Sequence, residues 1–348
     1  MFKTIATESF PEIQYRRNLR SRLMEFGIGI LDDALRGILP DDLILIGAQS
    51  GLGKTQICCN IAMANMENGK RVHFIALEAG EFEITRRLKY PLVMERFYAD
   101  DDRPSLGKID FTNWMLGDYL NEMEAHEQSA AEFFEKAYGN LFMFHKADKF
   151  GLAELIESVC FGAKDSDLII IDHVHYFDLE DDNENRALKE IAKTVRSLAL
   201  EEQKPIILIA HLRKKDRGNK ELCPGMEEFH GSSDLYKIAT RVITLSPGRP
   251  LPDGAGYETY FRIPKNRFDG GVSRFVYQTV FNPRKGSYEK EYKFCWAGSE
   301  KFEEIIDKSI LPSWAKDFGR RQTEENSGYS SGGYVSKGKP KAFSYSER

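Results

Sequence analysis

The sequence predicts an α/β fold, a mostly parallel sheet flanked by helices and followed by antiparallel C-terminal hairpins. Three observations carry this expectation. From Phe26 to about Pro312, apolar runs of strand length alternate with helix-period segments. The runs LILIG (43–47), VHFIAL (72–77), LFMFH (141–145), LIIID (168–172) and IILIAH (206–211) are continuous and rich in Ile, Leu and Val, as strands buried on both faces require. After Ala239 the pattern becomes RVITLS (241–246), TYFRIPKN (259–266), SRFVYQTVF (273–281) and KEYKFCW (290–296), separated by turn signals such as PDGAG and FDGG, which reads as hairpins.

Helices are expected between the early strands, over 54–67, 81–98, 151–163 and 185–202. In the last of these, Ala187, Leu188, Ile191, Val195, Leu198 and Ala199 recur at three-to-four spacing on one face. Strand–helix alternation of this kind argues for right-handed crossovers and a parallel sheet. Residues 1–24, ending in a run of arginines, form a basic arm. Residues 25–315 form the core. Residues 316–348 are expected to be a Ser/Gly/Tyr-rich flexible tail.

The chain has 348 residues and a formal net charge of -5. Nothing approaches the roughly 18 apolar residues of a membrane span, and MFKTIATESFPEIQ lacks a signal core. A cytoplasmic location without a membrane partner is expected. Five cysteines without CxxC spacing speak against a disulfide framework or a zinc ribbon. The acidic total argues against a nucleic-acid partner only if charge is evenly spread. It is not: Arg213, Lys214, Lys215, Arg217 and Lys220 put five cations into eight residues. That loop is either a DNA contact or a solvated basic surface.

The strand at 43–47 runs into Ala48-Gln-Ser-Gly51-Leu-Gly53-Lys54-Thr55, and a helical pattern follows. Glycines let the backbone wrap a phosphate, and the helix N-terminus adds amide donors and a favourable dipole. Ser50, Gly51, Leu52, Gly53, Lys54, Thr55 and Gln56 therefore form the expected nucleotide-binding stretch. Lys54 would reach the β/γ-phosphates and Thr55 would ligate Mg2+. Asp172 closes the strand LIIID where ligands bind in open α/β sheets, and is the expected Mg2+ partner. Glu78 follows VHFIAL in the same way and is the leading general base. His211 ends IILIAH, where it either contacts the γ-phosphate or is a packed histidine. His175 reads as packing or a local hydrogen bond, and Phe133, Phe134, Tyr138, Phe142 and Phe144 as core. Lys265 and Arg267, two apart near the end of a hairpin strand, are expected to project on one face of it and read either as an exposed pair or as cations stabilising charge on a transferring phosphate.

Taken in order, FGIGILDDALRGILPDDLILIGAQSGLGKT, FIALEAG, LIIIDHVHYF, NRALKEIAKTVRSLALEEQKPIILIAHL, FHGSSDLYKIATRVITL and KNRFDGG resemble the C-terminal motor of DnaB-type replicative helicases, with phage-type helicases and Twinkle most similar. The resemblance covers roughly residues 25–282. It implies a RecA-like P-loop NTPase core and an ATP-dependent DNA helicase. It implies Lys54 and Thr55 at nucleotide and Mg2+, Glu78 as base, Asp172 at Mg2+, and Lys265 and Arg267 acting on ATP bound to the neighbouring subunit. It also implies a homo-oligomeric ring, usually of six, with single-stranded DNA in its channel and a primase, loader or polymerase as further partner. Two departures stand out. His211 takes a position where these helicases usually place Gln, and only the short arm precedes the motor, so residues 12–24 would latch subunits in reduced form. Two other readings share the phosphate loop: a RecA/RadA-like recombination ATPase, and a regulatory P-loop ATPase that switches assembly state.

Overall fold

A computed structural model describes residues 5–80, 82–100, 109–145, 149–178, 184–212, 221–229, 233–252, 254 and 256–313. The basic loop with Arg213, Lys214, Lys215, Arg217 and Lys220, and the expected tail, lie outside the described residues. Two units divide the chain, Met1–Ile306 and Asp307–Arg348. In the second, a 3-10 turn at Lys308–Ile310 is described.

In the first unit the strands are β1 (Leu43–Ala48), β2 (Val72–Ala76), β3 (Leu141–His145), β4 (Leu168–Asp172), β5 (Ile206–His211), β6 (Arg241–Pro250), β7 (Tyr257–Asn266), β8 (Phe275–Asn282), β9 (Ser287–Tyr288) and β10 (Lys293–Trp296). They form one sheet in the order β10-β8-β7-β6-β1-β5-β4-β2-β3, with β9 on β8. The expected fold class holds, with one correction. RVITLS was expected only as a hairpin strand, but β6 pairs parallel with β1 as well as antiparallel with β7. It is the hinge between a parallel half and an antiparallel half, so it needs apolar residues on both faces. Val242, Ile243 and Leu245 supply them, all buried.

The helices are α1 (Ile5–Leu19), α2 (Gly29–Leu35), α3 (Lys54–Glu67), α4 (Glu83–Ala99), α5 (Phe111–Leu116), α6 (Leu120–Tyr138), α7 (Leu152–Asp165), α8 (Glu184–Glu202) and α9 (Ser233–Ile238). Strand residues alternate between two packed faces. Leu43, Leu45, Ile169, Ile171 and Leu208 share one core with Val159 of α7 and Leu188 and Val195 of α8. Ile44, Ile46, Ile170 and Ile207 are equally buried and point to the other face, the side of α3. Each such residue contributes roughly 1.5–3 kcal/mol by leaving water. All six predicted core positions of α8 are buried.

The segment 99–140, read without a counterpart, holds α5 and α6. The latter packs on α4 and α3, with the Tyr138 hydroxyl donating to Glu67 at 3.0 Å. Of the aromatic group read as core, Tyr138 is buried and Phe144 packs against the main core, while Phe133 and Phe142 are exposed. None of the five cysteines, all among the described residues, forms a disulfide, and four of them are buried. Among the described residues, no helix is long and apolar enough to cross a membrane.

Candidate active site

The strand order places the four candidate segments side by side. Moving across β1, β5, β4 and β2, the carboxyl ends carry the Gly-rich loop, His211, Asp172 and the segment leading to Glu78. The register keeps these ends level, with Ala48 opposite His211 and Ala76 opposite Asp172. Neighbouring strands are about 4.8 Å apart, so residues far apart in sequence converge on one crevice.

Within the loop, Gly51 and Gly53 have φ of +77° and +84°, and a Cβ at either would meet nothing within 4 Å. The backbone is in the left-handed region that glycine tolerates, and the space above it is open, as a cradle for phosphates must be. Gly53 caps α3, whose first amides have no partners within the helix and present positive charge to an anion. The Lys54 ammonium is buried and donates to the Gln49 carbonyl at 3.1 Å. Burial lowers its pKa, and Glu78 and Asp172 oppose that shift. Ser50 is exposed and Leu52 half-buried. Gln56 turns away, its amide donating to the Gly286 carbonyl at 3.1 Å, so it secures α3 to the C-terminal hairpin.

The Thr55 hydroxyl donates to Asp172 Oδ2 at 2.8 Å. Asp172 is fully buried, its Oδ1 has no hydrogen-bond partner, and burial pushes its carboxyl up to about 6 against the pull of Thr55. A buried carboxylate oxygen without a donor is costly. Together with the neighbouring hydroxyl, it is the oxygen-rich donor set that suits Mg2+. These residues fit the implied nucleotide and cation.

Glu78 lies at the rim. Its Oε2 is 2.8 Å from His173 Nε2, and the Tyr176 phenol, whose pKa the Glu78 charge raises, hydrogen-bonds to it. Burial, followed by His211 and His175, pushes the His173 imidazole down to about 2, so a neutral ring meets the carboxylate. The His175 backbone N–H donates to His173 Nδ1 at 3.3 Å, and the His211 ring stands edge-on to His173 at 4.1 Å between centroids. The local hydrogen bond expected of His175 is therefore made by its backbone. The sequence reading passed over His173 and Tyr176, although HVHY directly after Asp172 offered the signal.

Lys265 and Arg267 lie elsewhere. Ile44 pairs with Arg241, and Arg241 with Asn266, so the end of β7 is level with the start of β1. That is roughly 13 Å along the strands from the loop edge. The strand ends at Asn266, which corrects the expectation that both cations share one strand face. The Lys265 ammonium donates to the Tyr236 and Lys237 carbonyls at 2.9 and 2.7 Å, while Arg267 is exposed and anchored by its backbone N–H on the Thr240 carbonyl.

Fold and site together define a Gly-rich loop, running from strand into helix, at the carboxyl edge of a RecA-like sheet. The chain belongs to the DnaB-like helicase C terminal domain family, whose model matches residues 24–268. It is 26% identical over 229 residues to the replicative DNA helicase DnaB of Haemophilus influenzae, covering 63% of this chain and 45% of that protein. It is 24% identical over 248 residues to a probable plasmid replicative DNA helicase of Chlamydia psittaci, covering 67% of this chain and 50% of that one. The chain thus spans about half the length of these curated relatives. The fold matches the ATPase domain of G40P with a TM-score of 0.65 at 16% identity, covering 84% of this chain and 100% of that one. It also matches a DnaB-like replicative helicase, described with its interactions with primase, with a TM-score of 0.59 at 16% identity, covering 83% of this chain and 67% of that one.

Proposed function

We propose that this protein is an ATP-driven translocase on single-stranded DNA, a DnaB-type helicase hydrolysing ATP at subunit interfaces of a homo-oligomeric, six-membered ring. The convergence of Lys54, Thr55, Asp172 and Glu78 on one edge of the sheet carries this reading. Lys54 exchanges its loop carbonyl for phosphate oxygens and fixes the transferring group. Thr55 and Asp172 would hold Mg2+, which when bound neutralises charge on the β- and γ-phosphates. Glu78 accepts the proton of the attacking water as oxygen bonds to phosphorus, and the bond to the ADP oxygen breaks. His211 ends the strand between the loop strand and the Asp172 strand. It immediately precedes the basic residues 213–220, which suits it to link γ-phosphate occupancy to a DNA-gripping loop of Arg213, Lys214, Lys215 and Arg217.

Lys265 and Arg267, on the opposite edge from their own loop, supply positive charge to the nucleotide of the adjacent subunit. The arm supports assembly: α1 leaves Ile5 92% and Phe10 78% exposed, apolar side chains suited to latching onto a neighbour. Residues 1–24 are thus the subunit linker, 25–315 the motor and 316–348 the tail. A primase, a loader or a polymerase is the expected class of replication partner, in the cytoplasm.

The test is unwinding of a forked duplex by the assembled protein with MgATP. ATP-dependent strand separation is expected. No unwinding by a demonstrated oligomer contradicts the helicase reading, and DNA filaments with strand exchange would replace it with a recombinase.

A further inference from the structure

Beside the Mg2+ pair lies a second constellation of a different chemical character. Ligand atoms of Glu78, His173 and His211 all lie within 4.8 Å of one another. Each comes from the end of a different strand segment, β2, β4 and β5, so a rigid sheet sets their separation. His173 has no exposure, and its buried Nε2 lacks an aligned hydrogen-bond partner among the described residues although Glu78 Oε2 is 2.8 Å away. A buried ring nitrogen close to a carboxylate but not aligned with it suits ligands that converge on a common point.

We propose that Glu78, His173 and His211 form a binding site for a transition-metal ion of the zinc class, separate from the Mg2+ pair Thr55 and Asp172. Two imidazoles and one carboxylate are the ligand set of three-coordinate protein sites for Zn2+ that keep a fourth position for water. Imidazole nitrogen selects Zn2+, Co2+ and Ni2+ over Mg2+, which demands oxygen. The surroundings orient the ligands: the Tyr176 phenol bonds Glu78 and the His211 ring packs edge-on to His173. Loading carries one local cost. The ring proton must sit on Nδ1, which gives up the long 3.3 Å bond from His175 N–H. Occupancy would tie down the carboxylate read above as the catalytic base, making the ion a brake on turnover. Only this consequence depends on the Glu78 assignment.

The test titrates the full, nucleotide-free protein with Co2+ and follows its visible d–d absorption. One saturating equivalent is expected, with an intense low-symmetry band that survives excess Mg2+ and bleaches on adding stoichiometric Zn2+. His211→Gln and Glu78→Gln should each weaken binding by roughly tenfold or more. Glu78 is 39% exposed, so its amide variant keeps the fold, and circular dichroism checks both. No saturable band, or a band unchanged in both variants, overturns the site. Zn2+ bound at this site without slowing ATP turnover would leave the site standing and contradict Glu78 as the base.

Discussion

Asp172→Asn should stabilise the nucleotide-free protein while abolishing its activity. Burial raises the Asp172 carboxyl from 3.8 to about 6, so the folded state holds this proton more tightly than the unfolded chain. By linkage, the contribution of Asp172 is most favourable below about pH 4, declines as pH rises, and levels off above about 6. At 1.36 kcal/mol for each tenfold change in proton affinity, the ionised carboxylate costs folding about 3 kcal/mol near pH 7. Asparagine removes the charge and keeps an acceptor for the Thr55 hydroxyl, so the variant should recover most of that amount. For a unit of this size the gain is about 4 °C in melting temperature. The assay is thermal unfolding in EDTA without nucleotide, wild type against variant, from pH 4 to 8. The stability difference should open between pH 4 and 6 and then stay constant. A variant less stable than wild type at pH 7.5, or a difference that does not change with pH, would refute the reasoning.

Other perturbations test separate parts of the account. Gly53→Ala forces a side chain into φ +84°, costing roughly 1–2 kcal/mol of stability as read by urea unfolding, with a further loss in nucleotide affinity. Arg241→Ala leaves Asp42, 3.3 Å from its guanidinium and equally buried, as an uncompensated charge. About 3–5 kcal/mol of stability should be lost, read by the same unfolding. Arg267→Ala should abolish ATP turnover while nucleotide binding persists, and mixing it with Lys54→Ala should restore some turnover. Failure to complement in proven mixed oligomers would count against a shared site.

How much of this was legible in sequence follows from how local each signal is. The strands β1, β2, β4 and β5 are almost entirely apolar because both faces are covered, and the Gly-rich loop is a contiguous motif, so both could be read directly. The double pairing of β6 could not, since the composition of a strand that borders two kinds of neighbour resembles that of a hairpin strand. His173 stands in plain view in HVHY after Asp172, but its importance arises only where Glu78, nearly a hundred residues earlier, folds against it. The tether of Lys265 to the end of α9 likewise depends on tertiary approach. Asp172 and Thr55 were legible as individuals, but the orphaned Oδ1 beside the Thr55 hydroxyl appears only in three dimensions.

The most direct test of the central claim is ATP hydrolysis by the wild-type protein and by Glu78→Gln, each with and without single-stranded DNA, alongside nucleotide binding. Wild type should hydrolyse ATP faster when DNA is added. The variant should bind nucleotide with similar affinity and fail to turn it over under either condition. Wild-type hydrolysis indifferent to DNA, or a variant that keeps near-normal turnover, would contradict the assignment of this edge of the sheet as the engine of a DNA motor.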